Sequence, residues 1–219
     1  MLVRTMLKIG LLGGTFDPIH LGHLRAAEEV YEKLTLDEIL FIPSGNPPHK
    51  HRPDLTPFPK RLEMVRLAIE GISHFRVTDL EGREEGPSYS VRTLEALRFQ
   101  RPNVEFFFIL GLDAFCELET WYAYQRLPLL AHLVVINRGE KKKEDFIRKV
   151  KELFPQALAK AEGFDVPGGY SLIYLEVTRL DISSTIIRQI RKQGRSIRFL
   201  VPEKVRRFIL QHRLYSGQA

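Results

Sequence analysis

An α/β fold built on a doubly wound parallel sheet is what this sequence predicts, and three observations predict it. Short apolar runs of strand length alternate with segments whose apolar residues recur at helical spacing. Several of those runs end in Gly, Ser or Asp where the next helical pattern opens, and the last part of the chain is helical and basic. Such alternation argues for parallel strands joined by helical crossovers, with helices on both faces and loops gathered at the strands' carboxyl edge. At 219 residues, 44% hydrophobic and 27% charged, the chain has the make-up of one globular domain over residues 1–219, ending in a helical region from about 183. The winding expected is Rossmann-like.

Taken in order, Lys8 to Leu12 reads as a short buried strand, and Ala27, Val30, Tyr31 and Leu34 mark one face of the helix after it. Glu38 to Ser44 is a second strand. Asn46 to Pro59 holds five prolines in fourteen residues, which excludes regular helix or interior strand and makes a long loop. Leu62, Val65, Ala68, Ile69 and Ile72 form one face of a helix over Lys60 to Ile72. Phe75 to Leu80 is a third strand, and Val91, Leu94 and Leu97 belong to another helix. Asn103 to Gly111 is a buried strand running into Gly111-Leu112-Asp113, where a helix starts. His132 to Asn137 and Leu172 to Val177 are the fifth and sixth strands, with a surface helix over Lys141 to Phe154 between them. The segments ending at Gly13, Ser44, Leu80, Gly111 and Val177 deliver their loops to one edge, where ligands of such sheets bind.

Charge and cysteine content narrow the class. The net charge is +6, but Arg188 to Arg213 holds nine Lys or Arg against Glu203 alone (+8), leaving 24 basic and 26 acidic residues elsewhere (−2). A basic excess confined to two helices reads first as solvated helix faces, then as a positive field near an anion site, and last as a nucleic-acid surface. No nucleic-acid partner is expected. Cys116 is the sole cysteine, so no internal disulfide forms; it reads as a buried spectator thiol. No secretion signal or membrane-length apolar stretch is read, which places the protein in the cytoplasm with no membrane partner. A homodimer is compatible with the sequence.

The most informative stretch is Gly13-Gly14-Thr15-Phe16-Asp17-Pro18-Ile19-His20-Leu21-Gly22-His23. It lies between a strand and a helix, where backbone N–H groups and the helix dipole favour an anion. Gly13 and Gly14 allow a sharp turn and close approach of a ligand, and Asp17 and Pro18 suit a helix cap and first turn. His20 and His23 are three apart, so both rings share one face and can donate to one phosphate. A zinc pair would need a further ligand that no Cys cluster or His-Glu-x-x-His pattern supplies, so no resident metal is expected. Pro47-Pro48-His49-Lys50 puts a cation on a semi-rigid stalk. Ile182-Ser183-Ser184-Thr185 before Ile186, Ile187 and Arg188 reads as a second helix N-cap, able to grip an anion from the opposite side.

The first stretch resembles the signature of the nucleotidyltransferase superfamily, with His20, Gly22 and His23 matching its His-x-Gly-His core. Gly-Gly-Thr-Phe-Asp-Pro-Ile-His is most similar to the bacterial nicotinate-nucleotide adenylyltransferase family. The Pro-Pro-His-Lys loop, Gly86-Pro87-Ser88-Tyr89, Gly111-x-Asp113 followed by Trp121, the Ser-Ser-Thr helix and Leu200-Val201-Pro202 extend the likeness over nearly the whole chain. The family usually has Thr-Val-Asp after Gly-Pro-Ser-Tyr; here stand Ser90, Val91 and Arg92.

The resemblance implies an enzyme that transfers the adenylyl group of ATP to nicotinate mononucleotide, giving deamido-NAD and pyrophosphate in pyridine nucleotide biosynthesis. It implies direct in-line attack by the acceptor phosphate, whose second pKa near 6 leaves it largely ionised at neutral pH, so that no protein nucleophile is needed. By the same resemblance His20, His23, Lys50 and Arg188 carry the transfer, and Gly13, Gly14, Phe16, Gly111, Asp113, Ser183 and Ser184 hold ATP. Thr15, Ser90, Trp121 and Tyr122 hold the acceptor, Trp121 stacking on its ring and the N–H groups of Ser90 and Tyr122 meeting its carboxylate. Mg²⁺ is expected to arrive on the ATP phosphates. The alternatives are less well matched. A pantetheine-phosphate adenylyltransferase is shorter and lacks the middle motifs, a class I aminoacyl-tRNA synthetase would need a Lys-Met-Ser-Lys-Ser motif, and a non-enzymatic nucleotide sensor has no need of the retained histidines, lysine and arginine.

Overall fold

The computed structural model describes residues 6–47, 55–83, 85–137 and 142–217. Strands β1 (Leu7–Gly14), β2 (Glu38–Pro43), β3 (Phe75–Val77), β4 (Val104–Gly111), β5 (His132–Asn137), β6 (Leu158–Lys160), β7 (Gly163–Asp165) and β8 (Ser171–Glu176) form one sheet. Its order is β3-β2-β1-β4-β5-β8-β7-β6. The six strands from β3 to β8 in that order are parallel, as the alternation predicts. Strands β6 and β7 are antiparallel additions at one edge, so the sheet is mixed. This edge hairpin escapes sequence reading because Leu158, Ala159 and Lys160 are all exposed and show no alternation.

Side-chain alternation along the central strands builds two cores. Phe106, Phe108 and Leu110 of β4 face one way with Leu133 and Val135 of β5, while Phe107, Ile109, Val134 and Ile136 face the other. Helices α3 (Ser90–Gln100), α4 (Leu112–Cys116), α5 (Leu127–Leu130) and α6 (Lys143–Leu153) cover the first face, through residues such as Leu94, Phe115 and Phe146. Helices α1 (Leu21–Lys33), α2 (Phe58–Ile69), α7 (Ser184–Lys192) and α8 (Glu203–Gln211) cover the second, through Ala27, Val65, Ile187 and Ile209. The basic tail therefore packs on the sheet with most of its cations exposed, Arg188 turning inward to the Asp17 carbonyl and Glu203 taking Arg206 and Arg207.

Three local expectations are corrected. The third strand stops at Val77 because the chain turns into a 3₁₀ segment over Leu80–Gly82, pinned by the Thr78 hydroxyl accepting from the Leu80 amide at 3.2 Å. Cys116 ends α4 half-buried against the core rather than enclosed by it. Helix α1 begins at Leu21 with His20 as its cap, so Asp17 and Pro18 precede it. Among the described residues no helix is long and apolar enough to cross a membrane.

Candidate active site

The chain leaves β1 toward β2 on one side, while β4 lies on the other. The strand order thus reverses between β1 and β4, and the loops leaving their carboxyl ends open a crevice there. It holds a cavity of about 640 Å³. One end is bounded by the turn from Gly13 to Asp17, by His23, and by Ser184, Thr185 and Arg188 of α7. The other is bounded by Tyr89, Ser90, Trp121 and Tyr122, with Gly111 at the floor. Of the candidate residues His20, Asp113 and Ser183 do not border the cavity, and Lys50 lies outside the described residues.

At the first end, β1 continues through Gly13 and Gly14, and the left-handed residue of the turn is Phe16, at φ 49°. The glycines serve closeness rather than turning. A Cβ on Gly13 would meet only Phe108, at 3.9 Å, so that side of the backbone lies open to a ligand. Burial of the Phe16 ring, edge-on to His23 and tilted on Phe41, holds its strained backbone in place. The two histidines are not equivalent. Their rings stack at 3.7 Å, and the His20 amide donates to His23 Nδ1 at 3.3 Å. With Nδ1 accepting, the proton of a neutral His23 ring sits on Nε2, which makes that nitrogen the donor. His20 is 3% exposed and lies beneath His23. Gly22 permits this, since a Cβ there would come within 3.1 Å of His20 Nδ1.

A second set of groups fixes the turn from behind. Arg188 donates from Nη1 to the Asp17 carbonyl at 2.8 Å and from Nη2 to Thr185 Oγ1 at 3.2 Å, and the Ser184 hydroxyl donates to the Pro18 carbonyl at 2.8 Å. Ser183 is the cap of α7, its Oγ accepting from the Ile186 amide at 3.2 Å. The Asp17 carboxylate accepts from the Tyr215 hydroxyl at 2.6 Å, and burial together with that carboxylate pushes the Tyr215 phenol well above its ordinary range. Arg61, 1% exposed, donates to the carbonyls of Thr15 (2.7 Å), Thr56 (2.8 Å) and Gly45 (3.3 Å), joining the first turn to both ends of the proline-rich loop.

Neither Arg61 nor Tyr215 is singled out by sequence. Arg61 left a signal, a charged residue on the apolar stripe of Val65 and Ala68; Tyr215 left none. Glu29 of α1 was missed as well. Its buried carboxylate accepts from the Thr178 amide at 3.0 Å and from Arg25 and Lys33, tying α1 to the connector that leads into α7. Burial alone would raise its pKa, but those hydrogen bonds outweigh burial and bring it down to about 2.

At the other end Ser90 is the first residue of α3. The amides of Arg92 and Thr93 bond to the Tyr89 carbonyl, so those of Ser90 and Val91 stand ahead of the intrahelical ladder. Trp121 is half-buried with its ring edge-on to Phe108 at 6.4 Å, and Tyr122 is 53% exposed against Tyr89 at 4.7 Å. This end is aromatic and open to solvent on one side.

A glycine-lined strand-to-helix turn facing a second helix N-terminus across the switch point of a parallel sheet is the architecture of the nucleotidyltransferase class. The sequence model of the cytidylyltransferase-like family matches residues 11–190. The chain is 46% identical to the probable nicotinate-nucleotide adenylyltransferase of Syntrophotalea carbinolica, covering 97% of this chain and 99% of that one. It is 43% identical to the protein of the same name from Geobacter metallireducens, over 96% and 99%. The chain belongs to the nicotinate-nucleotide adenylyltransferase family. In fold it is similar to Plasmodium falciparum nicotinic acid mononucleotide adenylyltransferase complexed with NaAD, at a TM-score of 0.74 and 22% identity over 95% of this chain and 97% of that one.

Proposed function

We propose that the crevice holds ATP and nicotinate mononucleotide together and that the protein transfers the adenylyl group from the first to the second, releasing pyrophosphate and deamido-NAD. The observation that carries this reading is the two-ended cavity, with backbone turns, His23 and Arg188 at one end and rings with helix-start amides at the other. The acceptor's ionised phosphate attacks the α-phosphorus in line, without a covalent enzyme intermediate. His23 Nε2 and Arg188 donate to phosphate oxygens as charge develops on them, and Lys50 is proposed to do so from the proline-rich loop. His20 acts at one remove, by holding the His23 ring. Gly13, Gly14, Phe16, Gly111 and Ser184 border the ATP, Ser183 orients Ser184 through the cap, and Asp113 faces the adenosine from α4. Thr15, Ser90, Trp121 and Tyr122 take the acceptor.

In this proposal Mg²⁺ would arrive with the ATP phosphates, where it would offset part of their charge, and not on a dedicated set of protein ligands. Two of the three acids at the cavity wall fit a role other than metal ligation: Asp17 accepts from Tyr215, and Glu81 accepts from the Thr93 hydroxyl at 2.7 Å. The partners proposed are the two substrates, in the cytoplasm, with no nucleic acid. Pyrophosphate release from ATP across a panel of phosphomonoester acceptors tests the reaction, and silence with nicotinate mononucleotide refutes it. Chirally labelled α-phosphorus tests the pathway. Inversion is expected, and retention would reveal an enzyme-bound intermediate.

A further inference from the structure

Arg92 is an anomaly of the aromatic end. It is the third residue of α3 (Ser90–Gln100), and a cation in a helix's first turn opposes the helix dipole. Among the described residues it makes no ion pair. Its guanidinium instead lies over two rings, 5.2 Å from the centre of Tyr89 and 5.7 Å from that of Tyr122, and these rings are themselves 4.7 Å apart. Both tyrosines border the cavity, as does Ser90, which follows Tyr89 in the chain. The charge therefore stands one ring away from the cavity, beside the amides of Ser90 and Val91 that open α3.

We infer that Arg92 is a specificity-determining residue, adding a fixed positive field at the acceptor end that favours a carboxylate-bearing pyridine ring over its uncharged carboxamide. The inference rests on the function proposed above. The physical step is simple. Backbone N–H groups donate to a carboxylate or to an amide oxygen, but only the carboxylate carries a net charge for Arg92 to attract. The two rings keep the guanidinium in place, each contact being of the cation–π kind. Arg92 is itself exposed and Tyr122 is 53% exposed, so solvent and salt screen part of its field. The Coulomb attraction of one such charge for a carboxylate, reduced by solvent and salt screening, is expected to change relative binding by roughly three- to tenfold. Arg92 touches neither the reacting atoms nor the phosphates, so its effect belongs in the acceptor KM.

The experiment compares kcat/KM for nicotinate and nicotinamide mononucleotides in the wild type and in Arg92→Gln, Arg92→Glu and Arg92→Lys. Gln is expected to lower the acid-to-amide ratio about three- to tenfold through KM for the acid, leaving the amide unchanged. Glu should lower the ratio further, and Lys, which keeps the charge over the rings, should preserve most of it. Raising the ionic strength should erode the wild-type ratio and leave that of Arg92→Gln nearly flat. If Glu unfolds the protein, the Gln and Lys pair still decides. A wild-type ratio in Arg92→Gln, or a ratio in Arg92→Lys as low as in Gln, overturns the inference while the reaction itself stands. A wild type that adenylylates neither acceptor overturns the functional reading and this inference with it.

Discussion

The two ends of the cavity are held by different chemistry. At the first turn the fixed groups are backbone carbonyls, those of Thr15, Asp17 and Pro18, and each is held by a side chain from a distant segment: Arg61, Arg188 or Ser184. At the other end the contacts are ring on ring and cation on ring, with Tyr122 half in solvent. Carbonyl-directed hydrogen bonds are angular and fix the backbone to fractions of an ångström, whereas stacked rings slide at little cost. In the proposed reaction, the end that would align a phosphorus atom is then the stiff one, and the end that would admit and release a flat ring is the loose one.

Breaking the stiff end should therefore cost most. Arg61→Ala leaves three carbonyls without their buried donor and opens a void, for which a loss of about 3–4 kcal/mol is expected in urea unfolding. Arg61→Lys should recover only part of this, because one ammonium cannot span three acceptors on separate loops. An unchanged midpoint in the alanine variant would mean that the loops hold themselves. Next comes His23→Ala, with turnover lower by roughly 10²- to 10³-fold and little change in stability, the scale of one lost oxyanion donor. His20→Ala should combine a smaller kinetic loss with a measurable fall in Tm, since its buried ring supports His23 from beneath. Equal kinetic losses in the two would restore the reading in which both rings face the ligand.

What sequence reveals follows the same division. The parallel sheet is legible because its strands are apolar runs, and the first turn is legible because Gly, Asp, Pro and His cluster within eleven residues. The supports of that turn are not. Tyr215 reaches Asp17 across 198 positions and Arg188 reaches it across 171, and their acceptors include main-chain carbonyls that carry no residue signature. Those same partners explain why α1 starts at Leu21. The capping groups of Asp17, which local preference would spend on the helix, are engaged by tertiary donors. At the aromatic end Trp121 and Tyr122 are visible as residue types, while the use made of Arg92 emerges only when α3 and the segment after Trp121 are brought together.

A pH test addresses how the stiff end is tied to the rest of the molecule. Glu29 has its pKa lowered to about 2, against an ordinary 4.5, so its stabilising contribution is fully present above about pH 4.5 and is lost as pH falls toward 2. The carboxylate is buried but Arg25 and Lys33 are 44% exposed, which screens part of the gain and leaves about 1–2 kcal/mol. Glu29→Gln should flatten the stability profile across that window and lower stability at pH 7 by a similar amount. A variant whose acid unfolding parallels the wild type would show that the α1-to-connector tie is incidental.

The smallest effect is expected where the loose end relies on backbone rather than side chain. Ser90 opens α3, and the group it offers the cavity in the proposed complex is its amide, which every residue but proline possesses. Ser90→Thr adds one methyl at a half-buried position on the first helical turn, where a β-branched residue costs only a few tenths of a kcal/mol. Acceptor kcat/KM should stay within about twofold of the wild type. Ser90→Pro removes the amide hydrogen while keeping a φ suited to a helix start, so folding should survive and acid recognition should fall by about tenfold or more. If Ser90→Ala, which keeps the amide and loses the hydroxyl, falls as far as Ser90→Pro, the hydroxyl of Ser90 makes the contact. The aromatic end would then use side-chain chemistry as directional as that behind the first turn, and the contrast between the two ends would be lost.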